Sequence, residues 1–234
     1  RRATSGLPAM TRLTVAMPDG GRVTVDCPDR VDVMPEVVAL AVDTVARIRD
    51  RFPVARQAVS QISFDHSEPG LRESQWSGLT HLNLAAIYLN ASLASAGGLV
   101  AFQNIRAADP TRRPPATVPA PATYVDGVTA HESWHRMEMA FEARSYRESI
   151  GFRRRLGEHF GVATLEHAVL GGGPAASSAW RAAHERLVAE VSAYGGTSPR
   201  EATAELFKLW WCWPDAAWSP AVRRFDELLA TLPL

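Results

Sequence analysis

Lysine is nearly missing from this chain: of its 25 basic residues only Lys208 is not an arginine. The arginines are spread along the sequence, which reads as a composition bias and not as a basic patch. Acidic residues also number 25, so the formal net charge is zero and the calculated pI is near neutral. That balance gives no electrostatic footprint for nucleic acid or an anionic membrane surface. Cysteine is limited to Cys27 and Cys212, which suit one bridge or two buried thiols and lack the spacing of a metal or redox motif. No apolar run reaches the roughly 18 residues of a membrane span. The chain opens at Arg1 without Met, which leaves room for an upstream signal or domain.

What is present describes a globular protein. Hydrophobic residues make up 46% of 234 positions and charged residues 21%, enough for a sizeable core in one large domain or two small ones. Leu13, Val15 and Met17 alternate with polar or small residues, Pro18-Asp19-Gly20-Gly21 interrupts, and Val23, Val25 and Cys27 alternate again. This predicts a β-hairpin. Val38, Val42, Val45 and Ile48 then keep helical spacing from Pro35 to Arg51, with Asp43, Arg47 and Asp50 opposite and Pro53 as the stop. Val59 to Phe64 reads as a strand and His66 to Gly70 as a loop.

His81 to Asn90 reads as one strand with room for a bulge. At a sheet edge it would offer an extended peptide a place to hydrogen-bond; as an interior strand it would not, and periodicity does not choose between the two. Residues 107 to 123 are rich in Pro and Ala and read as a long loop. A single domain is the expectation, with a sheet-rich half over about 1–122 and a helical half over about 123–234. The helical half begins near Asp126 with a helix to about Arg144, on which Val128, Met137, Met139 and Phe141 are available for packing. Helices over Tyr146–Phe160, Ala163–Leu170 and from Trp180 to Gly195-Gly196 follow, then one starting at Ser198-Pro199 and a last one marked by Val222, Phe225 and Leu229. Trp210, Trp211, Trp213 and Trp218 read as packing residues. Gly171-Gly172-Gly173-Pro174 follows no strand and lacks the Lys of a phosphate loop.

The chemistry concentrates in His131-Glu132-Ser133-Trp134-His135. Residues four apart on a helix lie one above the other, so His131 and His135 present their rings to a common point, with Glu132 about 100° around from His131. Two neutral imidazoles plus one carboxylate suit zinc and leave a fourth position for water. A base beside the metal, Glu132, can take that water's proton. Trp134 reads as a core anchor of this helix.

Two placements of a third ligand fail. A metzincin would carry Gly at 138 and His at 141, where this chain has Glu138 and Phe141. A thermolysin-like chain would carry Glu about twenty residues after the second His, where Arg155 stands. The remaining stretch is Ser192-Ala193-Tyr194-Gly195-Gly196-Thr197-Ser198-Pro199-Arg200-Glu201-Ala202-Thr203-Ala204-Glu205. Read by itself, Ser198-Pro199-Arg200-Glu201 is also a capping box, in which Glu201 bonds back to Ser198 and needs no metal. His81, His159, His167, His184, Glu185 and Glu190 are weaker competitors, read as structural or solvated.

Together with the first motif, that stretch resembles the zincin metallopeptidases of the gluzincin type, the group that includes the catalytic domain of anthrax lethal factor and related phage and toxin-associated zinc peptidases. The resemblance covers these two motifs and a compatible order of strands and helices. It implies an α+β, zincin-like fold with a small twisted mixed sheet, a backing helix, the metal helix and a mainly helical C-terminal half. It further implies one catalytic Zn2+ held by His131, His135 and Glu201, with Glu132 as general base, Tyr194 assisting the oxyanion and Glu205 as an outer carboxylate. The implied activity is hydrolysis of peptide bonds in a peptide or protein substrate, and the implied setting is that of an exported effector. Two other readings stay open: an inactive zincin-fold binding module, and a zinc amidase acting on a non-protein amide. The Gly195-Gly196 pair is expected to make its loop mobile, with Tyr194 swinging in only on substrate. Substrate-binding residues and oligomeric state are not read from the sequence.

Overall fold

The computed structural model describes residues 10–28, 34–65, 78–80, 85–91 and 120–234. The predicted hairpin forms from β1 (Met10–Ala16) and β2 (Arg22–Pro28), antiparallel, with Val15 opposite Val23. Its turn closes through Met17 N–H donating to the Gly21 carbonyl at 2.9 Å, and Gly20 takes φ +80°, a conformation that glycine adopts without a Cβ penalty. Asp19 in that turn is buried and accepts from Arg49 Nε at 2.9 Å. The Arg49 hydrogen bond holds the Asp19 carboxyl below its ordinary range despite burial. Arg49 belongs to α1 (Pro35–Arg51), so a buried ion pair ties the hairpin turn to the backing helix.

The buried stripe of α1 is Val37, Ala41, Thr44, Val45 and Ile48. Val38 and Val42, expected at its centre, lie half-buried on its flank. The stripe is rotated because small Ala41 and Thr44 permit close approach to the helix that carries Asp126, whose carboxylate accepts from the Thr44 hydroxyl. After the short α2 (Ala55–Ala58), β3 (Gln61–Asp65) runs parallel to β2.

The strand expected over His81–Asn90 is shorter. β5 covers Ala86–Asn90, and His81 to Leu84 lie outside the described residues, so His81 is not placed. β5 is an interior strand, parallel to β3 on one side and antiparallel to β4 (Gly78–Thr80) on the other. The five strands follow the order β1-β2-β3-β5-β4, a small mixed sheet with β4 at one edge among the described residues. Register places Val25, Ile62, Ile87 and Thr80 in one cross-strand row, and Phe64, Leu89 and Gly78 in the next on the same face. Two apolar rows thus end, at the β4 edge, in a hydroxyl and a glycine.

The helix that carries His131 and His135, α3, spans Ala120–Arg144 and begins six residues before Asp126. Pro121 falls in its first turn, where the missing N–H is an orphan in any case, so a Pro-containing stretch there is compatible with helix. α3 packs against α1 and across β4 and β5. Arg136 Nε donates to the Ala58 carbonyl at 3.2 Å.

The C-terminal half is helical: α4 (Tyr146–Phe160), α5 (Leu165–Leu170), α6 (Ser178–Glu190), α7 (Pro199–Cys212) and α8 (Pro220–Leu229), with 3-10 turns at Gly195–Thr197 and Asp215–Ala217. α6 stops at Glu190, short of the glycine pair expected to end it. Trp134 is 1% exposed and stacks on Phe207 of α7 at 4.9 Å, with Phe225 of α8 edge-on at 5.3 Å. One contiguous group of buried side chains runs from Met17 to Leu229 through sheet and helices. Cys27 and Cys212 form no disulfide; Cys27 is buried as expected of an unbridged thiol, whereas Cys212 is half-buried. No described helix is long and apolar enough to cross a membrane.

Candidate metal centre

Helical spacing delivers the first two groups as the sequence implies. His131 Nε2 and His135 Nε2 lie 3.1 Å apart with their rings nearly perpendicular, both offered from one face of α3. Glu201, in the first turn of α7, brings Oε2 to 3.0 Å from His131 Nε2 and 3.5 Å from His135 Nε2. A tetrahedral ion with bonds of about 2.0–2.1 Å holds its ligand atoms about 3.3 Å apart, so the three atoms already have the spacing of one tetrahedral face. His131, His135 and Glu201 form a group that can hold a metal ion, and it is the one such group among the described residues.

The capping alternative for Glu201 is half present. Ser198 Oγ accepts from the Glu201 backbone N–H at 3.1 Å, so Ser198 is the N-cap of α7. The Glu201 carboxylate, however, faces the two imidazoles. Backbone and side chain of one residue serve different ends: the N–H completes the cap and the carboxylate completes the cluster.

Around the three groups lies a second ring of polar contacts. His131 Nδ1 is 2.9 Å from Glu205 Oε1, one helical turn beyond Glu201. Glu205 is also paired with Lys208 and accepts from Ser192 Oγ at 3.1 Å. Ser192 Oγ in turn accepts from Gly195 N–H at 2.9 Å, which ties the Tyr194 loop to the carboxylate beneath His131. Lys208, the lone lysine read as mere composition, therefore sits in the centre. Its position three residues after Glu205 on a helix was the available signal.

The electrostatics follow. Burial alone would lower the His131 pKa, but hydrogen bonds to Glu201 and Glu205 override it and push it up to about 9. Against the opposing cost of burial, the two imidazoles hold Glu201 far below the ordinary carboxylate range. Lys208 and His131 likewise hold Glu205 well below it despite complete burial. A protonated His131 donates Nε2–H to Glu201 and Nδ1–H to Glu205, and a metal ion would compete with the proton on Nε2 for that lone pair.

Glu132 is buried and points to the sheet edge. Thr80 Oγ1 donates to Glu132 Oε2 at 2.7 Å, and Gly78 lies so close that a Cβ there would sit 2.7 Å from Glu132 Oε1. The Tyr194 ring lies 5.9 Å from that of His131, with its hydroxyl bonded to Glu201. Desolvation of the partly exposed phenol first, then the negative charge of Glu201 and Glu132, raise its pKa above the ordinary value, so it stays a hydrogen-bond donor. The glycine pair expected to loosen this loop is instead buried in the 3-10 turn. A Cβ on Gly196 would meet His184 at 2.9 Å; close approach, not mobility, is what requires glycine there.

The competing groups are engaged elsewhere. His159 Nε2 pairs with Glu190 at 2.8 Å, His184 Nδ1 lies 3.1 Å from the Ala168 carbonyl and His167 stacks on Trp180 at 4.2 Å. They are structural, and of this set Glu185 is exposed. Thr80, Gly78, Lys208 and Ser192 are the residues at the centre that sequence reasoning missed. A search among protein-family models, curated proteins and solved structures found no match to this chain.

Proposed function

We propose that the chain is a zinc-dependent metalloendopeptidase of the gluzincin type, with a zincin-like fold. The observation that carries this reading is the convergence of His131, His135 and Glu201 at 3.0–3.5 Å, with Glu132 next to His131 on the same helix and the Tyr194 ring 5.9 Å from that of His131. Two imidazoles and a carboxylate are the donor set of a catalytic zinc site with an open position. Zinc bound there supplies Lewis acidity and lowers the pKa of water in its coordination sphere to about 7.

The chain's own groups do the rest. Among the described residues β4 is an edge strand beside Glu132, and an extended peptide would pair with such an edge. Glu132 accepts a proton from the attacking water as the oxygen bonds to the scissile carbonyl carbon. Tyr194 donates a hydrogen bond to the oxyanion that develops. Glu132 then gives the proton to the amide nitrogen as the C–N bond breaks, and an amine and a carboxylate leave. Glu132 and Tyr194 are not needed to hold an ion, and their presence favours a hydrolase over a fold that only binds.

The test pairs metal analysis with turnover of a peptide library. The parent is expected to bind one zinc per chain, and Glu201→Ala to lose it. Glu132→Gln should keep the zinc and lose activity about a hundredfold or more, because an amide cannot accept the proton. Unchanged stoichiometry in Glu201→Ala would return Glu201 to a capping role alone, and near-normal turnover by Glu132→Gln would sink the mechanism.

A further inference from the structure

We propose that the edge strand β4 positions the general base: Thr80 and Gly78 together fix the Glu132 carboxylate against the metal centre. The inference rests on the reading of Glu132 as the base and assigns Thr80 and Gly78 a positioning role that acts through their contacts with Glu132.

The placement follows from strand register. Thr80 pairs across β5 with Ile87 and Gly78 with Leu89, so both project onto the face covered by α3. In the adjoining strands those rows hold Ile62 and Phe64, fully buried apolar side chains. One more apolar residue would continue each row to the edge. Instead the first row ends in a hydroxyl and the second in a residue with no side chain, at the point where Glu132 descends from α3.

Each of the two positions meets a different oxygen. Thr80 Oγ1 donates to Oε2 at 2.7 Å, and its distance to the Glu132 backbone carbonyl, 3.4 Å, marks that as the weaker contact. An ionised carboxylate only accepts, so the direction of the hydrogen bond is fixed. Gly78 leaves the space that Oε1 and Cγ fill; a Cβ would stand 2.7 Å from both. A glutamate has three rotatable bonds, and without such contacts it samples several rotamers. Hydroxyl and vacancy select one, with the carboxylate held against β4. General-base efficiency depends on that geometry before it depends on pKa. The same strand is the edge on which an extended substrate would pair, so base and substrate backbone share one support.

The experiment compares Thr80→Val, Thr80→Ser and Gly78→Ala with the parent, all loaded with zinc. Thr80→Val, nearly isosteric, should keep one zinc per chain and parent KM while kcat falls about tenfold. Thr80→Ser restores the hydroxyl and should recover most of that loss. Gly78→Ala should lower kcat further, with zinc retained. A second readout needs no activity: thermal unfolding of the metal-free chain. There Thr80→Val should lower the melting temperature of the parent but not of Glu132→Ala, because the lost hydrogen bond has no partner in that background. Parent-like kcat in Thr80→Val, or a Thr80→Ser as impaired as Thr80→Val, overturns the proposal. Equal destabilisation in both backgrounds overturns the contact itself. Failure of the parent to cleave any peptide would refute the peptidase reading instead, and the unfolding cycle would still decide whether Thr80 holds Glu132.

Discussion

His131 and Glu205 face each other at 2.9 Å through Nδ1 and Oε1, so the imidazole that offers Nε2 to the metal point is held from behind by a buried carboxylate. The carboxylate fixes the tautomer: Nδ1 carries the proton and Nε2 is free to ligate once deprotonated. Lys208 keeps Glu205 ionised in a buried position that would otherwise favour the neutral acid.

Removing that cation is therefore expected to act on the metal at one remove. Lys208→Met and Glu205→Gln should each weaken zinc affinity by roughly 10- to 100-fold, the usual range for partners behind a ligand. Chelator competition measures this directly. Zinc affinity of Lys208→Met within twofold of the parent would show that Lys208 only packs against α3.

A second prediction concerns the other buried carboxylate of the metal helix. Glu138 is 2% exposed; its Oε1 accepts from Thr203 Oγ1 at 3.2 Å and Arg153 Nη2 at 3.3 Å, while Oε2 has no hydrogen-bond partner among the described residues. Burial raises its pKa and outweighs the attraction of Arg153. The folded state thus binds the proton more tightly than the unfolded state does. Stability linked to Glu138 is greatest below its ordinary carboxylate pKa and falls as pH rises toward the raised value. Glu138→Gln should raise the melting temperature at neutral pH, and the gain should shrink as pH falls toward the ordinary carboxylate value of about 4 and be gone below it. Thermal unfolding across pH reads both. A lower melting temperature at neutral pH would mean that the Arg153 ion pair outweighs the cost of burying the charge.

The parts of the site that the sequence made legible are those that local geometry fixes. A helix puts residues four apart on one face whatever surrounds it, so His131 and His135 needed no tertiary knowledge. Glu201 was harder, because Ser198-Pro199-Arg200-Glu201 also spells an N-cap; the cap formed and the carboxylate still turned to the histidines. The edge strand was out of reach. Three residues, Gly78-Leu79-Thr80, are too few for a period of two to register, and their importance comes from pairing with β5 and from Glu132, 52 positions after Thr80. Helix faces were near misses of the same origin: Val38 and Val42 fit the period, but partner helices chose the stripe with Ala41 and Thr44.

Tyr194 gives the last prediction. The sequence suggested a tyrosine on a loose glycine loop; in the structure its loop is anchored, with Gly195 N–H bonded to Ser192 and Ser192 bonded to Glu205. The hydroxyl already lies at Glu201, and burial with neighbouring carboxylates keeps it protonated. A donor held in place before reaction is worth more than one that must swing in, because no reorganisation is needed when charge develops. Tyr194→Phe removes the hydroxyl and keeps the ring against His131. Loss of one such donor should cost about 3 kcal/mol in the barrier, more than a hundredfold in kcat, with KM and zinc content little changed. Kinetics at saturating substrate separate this from a packing role, which would lower the melting temperature and leave turnover alone. Since the hydroxyl also touches Glu201, zinc content must be measured beside kcat: parallel loss of both would make Tyr194 a support for the third ligand, whereas turnover within twofold of the parent would refute the oxyanion assignment.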